Sequence, residues 1–183
     1  TESSITSILN ATTICSSGIM STGAGSTGTP KRNKGLKVNK KIRLEDVNEK
    51  NWRIPLSVSE AQRAYVADRV NMLARAYAYR DARSRAYIIF HEDIPVGMGL
   101  YYDCPTLDAY IFSEFFIDER YQGRGLGEEA TRLVLTRMRE DGKYRKVVLC
   151  CIDGNDAAKR LYQKLGFVET GRDEDEVIME LSF

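Results

Sequence analysis

The feature that most constrains this chain is a turn with three glycines in six residues, residues 122–127, between an apolar run and a helical pattern. The run over residues 109–117 predicts a strand, and residues 128–140 predict an amphipathic helix. This order points backbone N–H groups at one spot, where the helix dipole is positive. Glycines carry no Cβ that would keep an anion away. The pattern predicts a phosphate or pyrophosphate site, the alternative being a plain tight turn.

Two familiar nucleotide-binding patterns do not fit. Glu128 stands where a dinucleotide fingerprint needs its third glycine, and no Gly-Lys-Ser/Thr follows as a P-loop requires. Residues 23–28 match the dinucleotide fingerprint by letter. We discard that match because no strand precedes it and no helix follows it.

The chain divides into an arm and a domain. Residues 1–37 are rich in Ser, Thr and Gly, and such a segment cannot bury enough apolar surface to offset its ordering entropy. We interpret it as a low-complexity arm that is disordered, vector-derived, or a leader before a start at Met20. One folded domain is predicted over residues 38–183, which is long enough for a real core.

Within the domain, apolar periodicity predicts alternating strands and helices. Ile42 and Leu44 indicate a short first strand, and Ser57 with Glu60 form a capping-box pattern that predicts a helix to about Tyr79. Further strands are predicted over residues 86–91, 96–102, 110–117, 146–152, 167–170 and 177–183, with a turn at 92–95 and a second short helix at 155–165. The residues predicted at helical spacing are Ala64, Tyr65, Met72, Leu73, Ala76 and Tyr77 in the first helix, and Ala130, Leu133, Val134 and Met138 in the helix after the glycine turn.

Composition excludes several classes of protein. A net charge of +1 gives no basis for a general nucleic-acid or membrane binder. The basic residues concentrate in the arm, so the folded part is mildly acidic, which favours a cationic partner. The four cysteines form no CxxC pair, which indicates a reducing, cytoplasmic setting, and we predict no metal site. No apolar run approaches the roughly 18–20 residues of a membrane span.

Three segments together resemble the GCN5-related N-acetyltransferase (GNAT) superfamily in order and spacing. They are Phe-Phe-Ile at residues 115–117, the glycine turn, and the pattern that begins at Asn155 and ends at Phe167. The resemblance spans residues 40–183 and implies an α/β domain of the GNAT fold. Its mixed, mostly antiparallel sheet would have about six to seven strands, with helices on both faces. It also implies direct transfer of an acetyl group from acetyl-coenzyme A (acetyl-CoA), the co-substrate, to an amine.

The resemblance assigns the cofactor contacts to three places. The pyrophosphate would lie on the glycine turn, the pantetheine arm would follow the backbone of residues 115–117 where that strand splays from its neighbour, and Asn155 would hydrogen-bond the arm. The residues expected to bind the cofactor are Phe115, Phe116, Ile117, Gln122, Gly123, Arg124, Gly125, Leu126, Gly127, Glu128 and Asn155.

Tyr162 is the expected catalytic acid. Its spacing from Ala158 and Leu165 alone would make it a core aromatic residue. In many members of the superfamily, however, a tyrosine at this position points its hydroxyl at the thioester sulfur. The resemblance therefore implies that Tyr162 protonates or steadies the departing thiolate.

A base is also needed, because an alkylamine with a pKa of about 10.4 must lose a proton before it attacks. His91, the only histidine, is interpreted as a surface residue beside a hairpin turn. Glu114 interrupts an apolar strand, so it is either a base acting through water or a solvent-facing residue. Polyamine-acetylating relatives carry acidic residues just before the Phe-Phe pair. Here Ser113 and Glu114 stand where some relatives carry two acids, so one acid is missing.

The acceptor is predicted to be a small cationic amine, a polyamine such as spermidine or spermine. Residues 56–77 resemble bacterial spermine/spermidine N-acetyltransferases, in which this region closes over the acceptor. Glu60 and Glu114 are expected to hold the cationic substrate. The acidic residues 173–176 would frame the acceptor site, or form a solvated loop. Relatives often form dimers, so a homodimer is expected by analogy.

Other interpretations stay open at this point. The acceptor could be an aminoglycoside, a protein N-terminus or a lysine side chain. The domain could be a non-catalytic CoA-binding sensor. A third interpretation gives the basic residues 31–41 a role in binding nucleic acid, although we predict neither a nucleic-acid nor a membrane partner.

Overall fold

The computed structural model describes residues 42–63 and 65–183. The helices and strands of this part of the chain are β1 Ile42–Asp46, α1 Arg69–Ala78, β2 Arg85–His91, β3 Ile94–Cys104, β4 Ala109–Ile117, α2 Leu126–Asp141, β5 Lys146–Ile152, α3 Asp156–Lys164, β6 Val168–Asp173 and β7 Glu176–Ser182. The predicted arm over residues 1–37, the predicted domain start at residue 38 and Ala64 lie outside the described residues.

The strands form one seven-stranded sheet in the order β1-β2-β3-β4-β5-β7-β6. Neighbouring strands run antiparallel except for β4 and β5, which run parallel. The connection between these two strands contains α2, as a parallel crossover requires. The predicted α/β fold with a mixed, mostly antiparallel sheet is confirmed.

Alternating residues of β2 show that helices cover both faces of the sheet. Ile88 and Phe90 pack with Met72 of α1, whereas Tyr87 and Ile89 share a core cluster with α2 and α3. Because successive strand residues point to opposite faces, α1 lies on one face and the other two helices lie on the other. Among the described helices, none is both long and apolar enough to cross a bilayer.

The parallel strands β4 and β5 separate soon after they meet. Their ladder contains two pairs, Tyr110–Val147 and Ile111–Val148, while β4 stays paired with β3 as far as Ile117. The second half of β4 therefore presents backbone N–H and C=O groups to a cleft instead of to β5. We call this cleft the β4–β5 fork. The prediction that this strand splays from its neighbour is confirmed.

A β-bulge distorts β4 within the fork. Leu100 lies opposite Glu114 and Tyr101 lies opposite Phe112, so Ser113 is the extra residue. A bulge bends its strand and increases the local twist. The bulge therefore helps β4 to turn away from β5.

The predicted helix over residues 57–79 is wrong in its first half. Its α-helical part is α1, which starts after its N-cap residue Asp68. Before that, the chain forms only a 3-10 turn at Glu60–Gln62. The predicted capping box is also wrong, because Ser59 is the N-cap of this turn and its side chain makes no capping hydrogen bond.

Tertiary contacts explain why residues before the 3-10 turn stay extended. Leu56 and Val58 are buried in the core cluster that includes α1. Between them, the Ser57 N–H donates to the Asp118 carboxylate at 3.0 Å. These contacts pull alternate side chains inward and override the local helical pattern.

The buried face of α2 differs from the prediction by one side chain. Ala130, Val134 and Met138 are fully buried, whereas Leu133 is 36% exposed and Leu135 is buried instead. With 3.6 residues per turn, position 133 falls to the side of the stripe that the other three define.

Strand ends and the neighbouring turns also shift slightly. β3 starts at Ile94, so Glu92 and Asp93 alone form the hairpin turn, and Glu92 adopts a φ of 58°. β6 extends to Asp173, beyond its predicted end at residue 170. His91 is half-buried rather than at the surface, and within the described chain its Nε2 atom has no hydrogen-bond partner.

Candidate active site

The glycine turn forms a recess lined by N–H donors at the start of α2. Gly123 and Gly125 have φ values of 71° and 80°, in the left-handed region that strains other residues, and Gly125 is the N-cap of α2. The first-turn N–H groups at Leu126, Gly127 and Glu128 have no acceptor within the helix. They lie at the positive end of the helix dipole. This arrangement suits a phosphate group.

Gln122 ties the glycine turn to two other segments. Its side-chain Nε2 donates to Ile117 O at 2.7 Å and to Gln62 Oε1 at 2.6 Å. The first bond fixes the turn to the end of β4, and the second joins it to the 3-10 turn before α1. The side chain of Gln122 therefore serves to position the turn, and the sequence analysis did not identify Gln62.

The acidic side chain at the start of α2 is neutralised by two cations. The Glu128 carboxylate accepts from Lys164 Nζ at 2.5 Å and from Arg132 Nη2 at 3.0 Å. Lys164 is the main reason that the pKa of Glu128 lies below its ordinary value. Because the carboxylate is engaged in these ion pairs, the group of Glu128 that can bind an anion is its backbone N–H. Arg124 flanks the same turn and donates to Arg120 O at 3.1 Å.

Asp118, which the sequence analysis missed, holds the end of β4 in place. Its side chain is fully buried and accepts from Ser57 N at 3.0 Å and from Arg120 N, Nε and Nη2 at 3.1, 2.7 and 2.9 Å. The Arg120 side chain is the main cause that lowers the pKa of Asp118. Asp118 therefore positions both the segment before α1 and the glycine turn.

Replacing Asp118 with alanine is expected to lower the free energy of unfolding by about 2 kcal/mol, because the backbone N–H groups of Ser57 and Arg120 lose their acceptor, a carboxylate that is itself fully buried. Arg120 is 57% exposed, so water compensates on that side. Because the pKa of Asp118 is lowered on folding, its contribution is present at neutral pH and is lost as pH falls through that lowered value. Urea denaturation at neutral pH measures the loss of stability in Asp118→Ala, with Asp118→Asn as the shape-matched control. An alanine variant as stable as the parent would contradict the prediction.

The residues predicted to receive the pantetheine arm lie at the end of β4, inside the fork. Phe115 is half-buried and its ring centroid is 5.5 Å from that of Phe112. Phe116 and Ile117 are buried on opposite faces of the sheet. A Cβ added to Gly127 would lie 3.6 Å from Ile117 Cγ1, so α2 starts directly against β4. The cleft backbone and the donor recess are therefore contiguous.

Asn155 closes the other side of the fork as the N-cap of α3. Its Oδ1 accepts from the Ala158 N–H at 3.2 Å, and its own N–H donates to Ile152 O at 3.0 Å. Capping uses the side-chain oxygen, which leaves the amide Nδ2 as the donor that could reach a ligand.

Tyr162 is both a core residue and a neighbour of the fork. It is 9% exposed, and its ring makes edge contacts with Phe112 of β4 at 6.1 Å and with Phe167 at 5.6 Å between centroids. Burial raises the pKa of Tyr162 well above its ordinary value, and the charges of Cys151 and Glu114 add to the rise. The phenol therefore remains protonated at neutral pH.

Glu114 is not the solvent-facing residue that the sequence allowed. Its side chain is 11% exposed and pairs with Arg75 of α1, at 2.8 Å between Nη1 and Oε1. Burial raises the pKa of Glu114, whereas Arg75 and a hydrogen bond from the Ala67 N–H act in the opposite direction, and Glu176 adds to the rise. Arg75, like Gln62 and Asp118, was not identified from the sequence.

The other predicted acids divide into exposed and buried ones. Glu60 lies exposed at the first position of the 3-10 turn. Glu176, the last residue of the acidic run, is 8% exposed and starts β7 opposite Ile152. Burial raises the pKa of Cys150 to about 12, and Glu176, which accepts a hydrogen bond from that thiol, adds to the rise. Glu176, which the sequence placed only within a loop, therefore starts a strand, and its charge is one of the causes that raise the pKa of Glu114.

Comparisons with known proteins agree with this geometry. Residues 44–167 match the Acetyltransferase (GNAT) family. The chain is 30% identical over 128 residues to the spermine/spermidine N(1)-acetyltransferase of Bacillus subtilis (strain 168), over 64% of this chain and 80% of that protein. It is 24% identical over 121 residues to the ribosomal-protein-serine acetyltransferase of Escherichia coli (strain K12), over 66% of this chain and 64% of that protein.

Among solved structures, the spermidine N-acetyltransferase from Vibrio cholerae in complex with CoA and spermine has the same fold. The TM-score is 0.63 at 17% sequence identity, over 77% of this chain and 95% of that chain. The family match extends over more than half of the sequence and includes the fork, the glycine turn and α3. The chain therefore belongs to the GNAT family and is an acetyl-CoA-dependent N-acetyltransferase.

Proposed function

We propose that the chain transfers the acetyl group of acetyl-CoA to a primary amine of a small polyamine. The observation that carries this proposal is that two acidic side chains are buried, with 11% of the Glu114 side chain and 8% of the Glu176 surface exposed. Glu114 in turn raises the pKa of Tyr162. Although Glu114 is paired with Arg75, the ionised forms of Arg75, Glu114 and Glu176 together carry a net charge of −1, which favours an acceptor that brings positive charge. The similarity to the Bacillus subtilis spermine/spermidine enzyme supports the same acceptor class.

The fork and the recess divide the binding of acetyl-CoA between them. The backbone amides of residues 123–128 would hold the pyrophosphate. The edge of β4 that faces away from β3 at Phe115, Phe116 and Ile117 would pair with the amides of the pantetheine arm, except at Ile117 O, which already accepts from Gln122. Asn155 Nδ2 would donate to the same arm. This brings the thioester to the fork beside Tyr162, in line for the amine.

In the proposed reaction, Glu114 accepts a proton from the acceptor's ammonium group through water. The free amine forms a C–N bond to the acetyl carbon as the C–S bond to the coenzyme breaks, and the nitrogen's second proton passes through water to the departing sulfur, which gives the amide and the free thiol of CoA. The phenol of Tyr162 donates a hydrogen bond to the sulfur as it becomes a thiolate. Glu60, at the exposed mouth, is proposed to attract a distal ammonium group of the polyamine.

A panel of amines tests the acceptor. Thiol release from acetyl-CoA is measured with spermidine, spermine, an aminoglycoside, a peptide with a free N-terminal serine, and an acetylated lysine as the blank. We expect the highest kcat/KM with spermidine or spermine. A higher value for the peptide would instead favour a protein acceptor, as in the Escherichia coli relative. CoA binding without turnover on any amine would favour a sensor.

Gly125→Ala is expected to raise the Kd for CoA about tenfold. A side chain at a φ of 80° costs about 1–2 kcal/mol, and the turn relaxes by moving its amides away from the phosphate position. Gly142→Ala is the matched control, because Gly142 has a φ of 66° at the opposite end of α2. Calorimetry should show weaker CoA binding only in Gly125→Ala, while both variants lose thermal stability. Equal Kd values in the parent and both variants would argue against the recess as the phosphate site.

We also propose that the chain forms a homodimer, as many GNAT relatives do. Light scattering coupled to size-exclusion chromatography measures the mass directly. A monomer at micromolar concentration would contradict this part of the proposal.

A further inference from the structure

One arginine links α1 to the bulge of β4. Arg75 Nη1 lies 2.8 Å from Glu114 Oε1 and 3.4 Å from Ser113 Oγ. The Arg75 and Glu114 side chains are 17% and 11% exposed, so the protein shields most of this ion pair from water. A guanidinium that contacts consecutive residues of a bulge fixes the orientation of the carboxylate relative to α1.

The groups around Glu114 act on its charge in opposite directions. Arg75 of α1 and the Ala67 N–H stabilise the ionised carboxylate, whereas burial and Glu176 of β7 favour its protonation. Tyr162 of α3 faces it as a neutral phenol. Arg75 is the positive side chain in this set. Without it, the pKa of a buried carboxylate beside another acid would rise further.

The same ion pair limits what Glu114 can do for the acceptor. A carboxylate that is already paired with a buried guanidinium cannot also anchor an ammonium group unless the guanidinium leaves. Breaking a buried pair exposes an uncompensated charge and is strongly unfavourable. An ionised carboxylate can still accept a proton from a water molecule at its other oxygen.

We propose that Arg75 is a positioning residue for acetyl transfer. It keeps Glu114 ionised and in one orientation, which makes Glu114 a base rather than an anchor for the acceptor's ammonium group. The inference rests on the proposed role of Glu114, and it gives the chain a residue on which the acidic side of the pH–rate profile depends.

The first test is a direct titration that needs no acceptor. Infrared difference spectra of the full chain follow the carboxylic acid band of Glu114, which is identified by its loss in Glu114→Gln. In Arg75→Met we expect the midpoint to rise by about one pH unit or more, and in Arg75→Lys to stay within about half a unit of the parent. Arg75→Gln replaces the methionine variant if that variant does not fold, as judged by circular dichroism.

Arg80→Met is the matched control. Arg80 is exposed beyond the end of α1, where it lies over the Tyr77 ring and donates to Tyr77 O at 3.0 Å. Its loss removes one positive charge from the same region without touching Glu114, so the midpoint should not move. An unchanged midpoint in folded Arg75→Met overturns the inference.

The pH dependence of kcat/KM supplies the second readout. In Arg75→Met the acidic limb should move upward with the infrared midpoint, and the rate should recover towards the parent's above it. A uniform loss at every pH, with no movement of the limb, would show a merely structural role and overturn the inference. If the infrared midpoint moves but no polyamine is acetylated by the parent, the ion-pair effect stands and the proposed acceptor fails.

Discussion

Tyr162→Phe is expected to lower kcat for acetylation of spermidine about 100-fold or more, while the Kd for CoA stays within about twofold. The substitution removes one hydroxyl and keeps the ring, whose edge contacts with Phe112 and Phe167 hold α3 against the sheet. The hydroxyl acts only when the C–S bond breaks, so its loss affects the transition state and not the bound cofactor. Steady-state kinetics and calorimetry with CoA measure the two quantities.

The raised pKa of Tyr162 defines what kind of help the phenol gives. A thiol has an ordinary pKa near 8.5, whereas burial holds the pKa of this phenol well above its ordinary value of about 10. Full proton transfer to the thiolate is therefore uphill. Tyr162 mainly stabilises the developing negative charge by hydrogen bonding. Because the phenol stays protonated through the usual assay range, it should contribute no basic limb to the profile of kcat against pH.

Tyr87→Phe is the matched control for Tyr162→Phe. Tyr87 belongs to the same core cluster, and its buried hydroxyl has no hydrogen-bond partner in the described part of the chain. Removing that hydroxyl should leave kcat unchanged and the Tm unchanged or higher, since an unsatisfied buried group destabilises the fold. Similar losses of kcat in both variants would refute a role specific to Tyr162. A sensor would show no turnover in the parent or in either variant.

Elements that depend on local pattern were predictable from the sequence. The apolar run of β5 was predicted over residues 146–152, which are its bounds in the structure. The extended course of residues 56–58 was not predictable, because it depends on the bond between Ser57 and Asp118, which are 61 residues apart. Local propensity favours a helix there, but the buried carboxylate of Asp118, directly after β4, binds the segment in another conformation.

The cofactor side and the acceptor side of the site also differ in how far the sequence predicts them. The glycine turn could be identified because positive φ values and helix starts are encoded by a few consecutive residues. The acceptor side depends on Arg75 meeting Glu114 and on β7 burying Glu176 beside β5, contacts between residues far apart in sequence. A signal did exist: Arg75 follows the buried Met72 by three residues, so it puts a charge near the apolar face of a helix. Glu114 was found by that same reasoning applied to a strand.

Glu114→Gln is expected to lower kcat for polyamine acetylation about 100-fold or more, and to remove from the pH profile the limb that reflects the titration of Glu114. Glutamine matches glutamate in size and can still accept a hydrogen bond from Arg75, but it cannot take the proton of the ammonium group. In the parent, activity should rise as pH passes upward through the pKa of Glu114, because only the deprotonated carboxylate is a base. Burial raises that pKa, so the limb should lie above the ordinary value of about 4.3.

Glu140→Gln is the control, since Glu140 is exposed on the last turn of α2 and should keep the parent's profile. The separate effects of Glu114→Gln on kcat and on KM distinguish a base from an anchor for the ammonium group. Losing an anchor would raise KM for spermidine and leave kcat unchanged, whereas losing a base would lower kcat and leave KM unchanged.

The dependence of the lost activity on pH is a stricter test of the base. A variant without its base must wait for amine that is already neutral, and that fraction rises about tenfold per pH unit below 10.4. The ratio of the parent's kcat to that of Glu114→Gln should therefore fall about tenfold with each pH unit. A ratio that stays constant from neutral to alkaline pH would exclude Glu114 as the base.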